Sequence, residues 1–193
     1  MKFAHTTIAA TLGLVFCAAA FAQAGTVQRD VNQQQRIEQG LQSGQLTTRE
    51  AGRLEREESR VERDQARAMQ DGKLSPAEKA RLAREQNRVS RDIYREKHDA
   101  QTGNPNSASS QRMQADVQRN VNQQQRIEQG VKSGSLTNRE TARLERGEAR
   151  IDRKEARAGA DGKVGPREQR RIQKAENRES RRIYKEKHDA QTK

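Results

Sequence analysis

The chain has 193 residues, a formal net charge of +12 and a mean hydropathy of −1.26, with 34% charged and only 3% aromatic residues. A sequence this polar, without Trp and with a single Cys, excludes a disulfide scaffold and a bundle of apolar membrane spans. It approaches the disordered class by composition, and only ordered periodicity argues for a fold.

Residues 1–22 read as a secretory signal. Lys2 gives a short basic start, Ile8 to Phe21 is apolar, and Ala20-Phe21-Ala22 fits a small-x-small cleavage site before Gln23. The apolar run is short for a transmembrane helix, so no spanning segment is expected in the mature chain. Its expected location is periplasmic or secreted, with a net charge of about +11. Cys17 lies inside the signal, and the mature chain has no thiol chemistry.

The rest is a tandem repeat. Val27 to Thr102 aligns without gaps onto Val117 to Thr192, with 48 of 76 positions identical. That predicts two equivalent domains, 27–102 and 117–192. Between them 103–112, which opens Gly-Asn-Pro-Asn-Ser, is a flexible linker by composition. The expected fold class is all-α, with two tandem three-helix domains joined by that linker. In the first copy the helices are expected at about 27–43, 47–69 and 75–98.

A seven-residue turn recurs at the helix joints: GQLTTRE, GKLSPAE, GSLTNRE and GKVGPRE. Gly44, Gly72, Gly134 and Gly162 suit the left-handed conformation that closes a helix. Thr47 with Glu50, Ser75 with Glu78, and Thr137 with Glu140 form capping boxes. Glu168 stands in the same place after Gly165, which has no capping side chain. Pro76 and Pro166 fall at the first helical position.

Arginine supplies the most regular pattern. Arg49, Arg53, Arg56, Arg60, Arg63 and Arg67 run at spacings of four and three, repeated by Arg139, Arg143, Arg146, Arg150, Arg153 and Arg157. Such a stripe is either a solvated, salt-bridged face or a track for a polyanion such as nucleic acid or an anionic surface. The abundant neighbouring acids favour the solvated face. The apolar stripe opposite is narrow, often one large apolar residue per heptad where a core-facing helix shows three. Copy-on-copy packing, self-association, a protein partner or a ligand is therefore expected to complete the core.

The turns also resemble the latter half of an EF-hand loop. With Gly72 as sixth residue, Asp71 falls at five, Leu74 at eight and Glu78 at twelve; Asp161, Gly162 and Glu168 repeat the arrangement. The resemblance implies calcium ligands at Asp71, Glu78, Asp161 and Glu168 on a scaffold of degenerate loops, since Arg67 and Arg157 stand where an acid is needed. His98 and His188, in the unchanged EKHDAQT segments, are further candidates for a transition metal such as zinc. The Leu-Thr-x-x-Glu turns, export signal and helical composition are also similar to Spy/CpxP-type periplasmic proteins, a likeness implying a role in envelope stress. No Cys, Gly-rich phosphate loop or Ser–His motif suggests catalysis, so the expectation is a non-catalytic binding or scaffold protein without an obligatory cofactor. Metal binding and polyanion binding are the alternatives.

Overall fold

The computed structural model describes residues 13–189, with side chains from residue 23 onward. The segment expected to be a leader, 1–22, thus falls outside the described side chains, although residues 13–22 have helical backbone. Among the described residues the protein is all-helical: α1 (Gly13–Ser43), α2 (Thr48–Ala68), α3 (Pro76–Lys97), α4 (Ala108–Ser133), α5 (Asn138–Ala158) and α6 (Pro166–Lys187), with one 3-10 turn at Gly159–Asp161.

The joints are closed by local chemistry. Gly44, Gly72, Gly134 and Gly162 have φ of 76°, 88°, 77° and 85°, the left-handed region open to Gly. The hydroxyls of Thr47, Ser75 and Thr137 accept from the N–H of Glu50, Glu78 and Glu140, and each Glu carboxylate accepts the cap residue's own N–H. At α6 only the second half of this exchange exists: the Gly165 N–H donates to Glu168 at 2.8 Å. After α1 the chain folds back so that the Leu46 N–H reaches the Gly40 carbonyl at 2.9 Å and the Leu46 side chain covers Gly40. Leu136 does the same over Gly130.

Two boundaries differ from the periodicity. The first helix of each copy starts earlier than expected, at Gly13 and Ala108 rather than near Val27 and Val117. The segment expected to be a tether is mostly structured. The Gly103 N–H donates to the Gly44 carbonyl at 2.8 Å, Ser107 caps α4, and 108–112 form its first turn.

The copies pack on each other. α2 runs antiparallel to α5, with the Ser59 hydroxyl donating to the Ala149 carbonyl at 2.8 Å near the crossing point. Residues 59 and 149 are repeat equivalents, so the pair marks a local pseudo-twofold axis. α1 likewise lies antiparallel to α4: Lys132 reaches Gln28 at one end and Gln114 reaches the Leu41 carbonyl at the other. α3 covers α1 and α2, and α6 covers α4 and α5. The largest apolar cluster joins Leu41, Leu46 and Leu54 of the first copy to Met113, Val117 and Ile172 of the second. A second joins Val27 to Ile127, Val131 and Leu144. Each thin apolar stripe is thus completed by the other copy's helices.

Candidate metal centre

The narrowness of the apolar stripe has a specific cause. On α2, Leu54 and Val61 share their face with Glu55, Glu58, Glu62 and Gln65, and on α5, Leu144 and Ile151 share theirs with Glu145, Glu148, Asp152 and Glu155. At 100° per residue these six side chains span an arc of about 120°. The positions a bundle helix normally gives to Leu are occupied by carboxylates. All seven acids and Gln65 are at most 1% exposed.

α1 and α4 add amides and further acids to the same interior. Gln34 donates to Glu55 at 3.0 Å. Gln124 donates to Glu62 at 2.7 Å, across the boundary between copies, and is 3.4 Å from Glu145. Gln65 and Gln86 bind the two oxygens of Asp30 at 2.6 and 2.7 Å. Asn120 binds Glu155 at 2.8 Å and Asp152 at 3.3 Å. Every one of these amides gives its N–H to a carboxylate. The amide oxygens of Gln34, Gln65, Asn120 and Gln124, both oxygens of Glu148, and one oxygen each of Glu55, Glu58, Glu145 and Glu155 have no partner, while the carboxyls of Glu62 and Asp152 hydrogen-bond each other.

Among the described residues no cation pairs with these carboxylates. Among the described residues, Lys and Arg pair with acids at the rim, as Arg53 does with Glu96, Arg119 with Glu176 and Arg182 with Glu179. None lies within 4 Å of the seven carboxylates of α2 and α5. One oxygen each of Glu55, Asp152 and Glu155 comes within 4.8 Å of the others. At that separation two full charges repel by roughly 3 kcal/mol even at an effective dielectric of 20. Burial, and next the neighbouring Asp152, pushes the Glu55 carboxyl well above the usual range. Burial followed by Glu55 and Asp152 does the same to Glu155. Burial raises Asp30 and Asp152 to about 7. Glu58, Glu62, Glu145 and Glu148 are likewise raised, first by burial and then by neighbouring acids. Such a set is stable when protons or cations neutralise it.

The donors are carboxylate and amide oxygens, without Cys or His. That set suits hard cations such as calcium, manganese or a trivalent ion, and suits zinc or copper poorly.

The residues singled out from the sequence lie elsewhere. Asp71 and Asp161 accept from the Lys73 and Lys163 N–H at 2.8 Å, inside their own turns. Glu78 and Glu168 are engaged as caps. His98 and His188 are exposed; each Nδ1 lies 2.7 Å from the carbonyl of Tyr94 or Tyr184, and each ring stacks on that tyrosine. Near them are two repeat-equivalent triads, Glu50 with Glu96 and Asp99, and Glu140 with Glu186 and Asp189. Arg53 and Arg143 already approach these at 3.1 and 3.9 Å. The arginine stripes line the outer faces of α2 and α5, exposed except for half-buried Arg63 and Arg153. Burial, and then the charge of Arg153, lowers the Arg63 pKa. The buried acids belong to no recognised ligand motif. The available signal was the three–four–three spacing of Glu55, Glu58, Glu62 and Gln65 on the same face as Leu54.

Against known proteins, no family model matches the chain, and no curated protein or solved structure matches it significantly.

Proposed function

We propose that this chain is an exported, non-catalytic binding protein whose two tandem three-helix repeats enclose hard cations between α1, α2, α4 and α5. The observation that carries the proposal is the set of buried oxygens on Glu55, Glu58, Gln34, Gln124, Glu145, Glu148 and Glu155 that lack a partner. A native interior rarely leaves one such group unsatisfied, and here Glu55, Asp152 and Glu155 also bring one carboxylate oxygen each within 4.8 Å of the others. Carboxylates from α2 and α5 with amide oxygens from α1 and α4 would form the ligand shell, so that both repeats contribute ligands. Among the described residues no helix is long and apolar enough to cross a membrane. The leader-like start supports export, and a cation store or sensor in the cell envelope is the role we favour.

The test is a thermal melt with calorimetric titration of the chelator-treated chain. Calcium, manganese and lanthanum are added separately at pH 7.5, with magnesium and zinc as comparison ions. A site at a hundredfold excess over its Kd stabilises by about 2.7 kcal/mol, raising Tm by about 5–10 °C in a chain of this size. Glu55→Gln with Glu155→Gln should remove most of that rise. An unchanged Tm with every hard cation at millimolar concentration would sink the proposal.

A further inference from the structure

The two copies carry the same groove between their second and third helices, and its charge has inverted. In the first copy it is lined by Glu57, Asp64, Glu85 and Asp92 against Arg60 and Arg88, in a space of about 210 Å³. In the second, the equivalent positions hold Gly147, Lys154, Ala175, Arg182, Arg150 and Arg178, with Glu179 in place of Val89, in about 340 Å³. Two cations against four acids have become four cations against one acid.

The remaining acid is already committed. Glu179 is 7% exposed and bonds Arg182 at 3.0 Å, and its carboxylate occupies the space a side chain on residue 147 would need. Among the described residues, Arg150, Lys154 and Arg178 have no carboxylate within ion-pair distance. Arg150 and Lys154 are four apart on α5, and Arg178 and Arg182 are four apart on α6, so both pairs face one groove. Burial, and then the charges of Arg178, Arg150 and Arg157, holds Lys154 below the ordinary lysine range. A half-buried ammonium crowded by guanidiniums is stabilised by an external multivalent anion. A second copy of the chain is a poor occupant, because its acidic groove is also concave.

We propose that the groove formed by Arg150, Lys154, Arg178 and Arg182 is a binding site for a phosphate-type oxyanion, and that its counterpart in the first copy is not. Inorganic pyrophosphate, titrated calorimetrically into the full chain at low salt with inorganic phosphate as comparison, is the probe. One site is expected, weakening steeply with salt. Lys154→Asp with Arg182→Asp, which restores the first copy's acids, should reduce affinity at least tenfold. Arg60→Gln with Arg88→Gln should leave it within twofold. The reciprocal Asp64→Lys with Asp92→Arg should create a second site, a gain that unfolding cannot mimic. Absence of binding by the parent chain would overturn the proposal. So would equal losses from both groove variants, which would mean attraction to the arginine surface as a whole.

Discussion

The two repeats share a backbone plan but solve two packing problems with opposite residues. At one end of the α2–α5 crossing, Gly52 meets Gly159, and Met113 from α4 fills the space between; a Cβ on Gly159 would lie 2.7 Å from the Met113 methyl and 2.8 Å from the Thr48 carbonyl. At the other end the equivalents of these glycines are Ala142 and Met69, which pack together with Ala66. The methionine has moved from helix end to neighbouring helix while the buried volume stayed filled. Position 57 shows the same exchange: Glu57 on α2 in one copy, Gly147 with Glu179 on α6 in the other. The interior positions 55, 58, 62 and 65 and their equivalents 145, 148, 152 and 155, by contrast, keep oxygen-bearing side chains in both copies. Packing tolerates relocation of volume, whereas the interior oxygens keep their places.

The largest expected effect probes that shared interior. The carboxyls of Asp30, Asp152 and Glu176 are raised to about 7, and that of Asp116 to about 8, burial being the main cause in each. A folded pKa above the unfolded value contributes stability that is full below about pH 4 and is lost as pH rises through the folded pKa. The cation-free chain should therefore melt higher at pH 5 than at pH 8, by about 10 °C or more, since each pKa unit is about 1.4 kcal/mol. Calcium or a trivalent ion should shrink the difference, because cations replace the protons. Glu58→Gln with Glu148→Gln should shrink it without cation. A Tm that rises from pH 5 to pH 8 in chelator would refute buried, proton-linked acids.

The relocated methionine comes next. Gly159→Met, which installs the first copy's residue, should cost about 2–4 kcal/mol, because Met113 and the Thr48 carbonyl block its Cβ. Adding Met113→Gln, the residue at the equivalent position 23, should recover part of the loss in urea melts. Strict additivity of the two costs would argue against a shared space.

The joints give smaller, asymmetric effects. Gly44→Ala should cost about 2 kcal/mol, because φ is positive and a Cβ would lie 2.9 Å from the Gly103 carbonyl. Gly134→Ala has the same φ but open space, and should cost about 1 kcal/mol. Equal losses in thermal melts would mean that residues 103–107 do not press on the first joint. Glu78→Gln should change stability least, by about 0.5 kcal/mol or less, as the amide can still accept the Ser75 N–H.

The four capped joints were legible in the sequence because Gly, Thr or Ser, and Glu act on backbone groups only a few residues away. Helical class and repeat period were legible for the same reason. The starts of α1 and α4 were not: at α4, Ser109 bonds Thr48 and Val164, partners distant along the chain. The Gly103 contact to Gly44 ordered a segment whose composition reads as linker. Only the tertiary structure decided that the acids flanking Leu54 and Val61 are fully desolvated rather than solvated at the edge of the apolar stripe. Helical spacing gives angles around an axis, and both Arg and Glu faces are polar; antiparallel pairing with α5 turned Glu55, Glu58 and Glu62 inward and left Arg53, Arg56 and Arg60 outside. Whether a carboxylate is a solvated charge or a desolvated, partnerless ligand depends on what packs over it, and that is a property of the assembled helices rather than of any one segment.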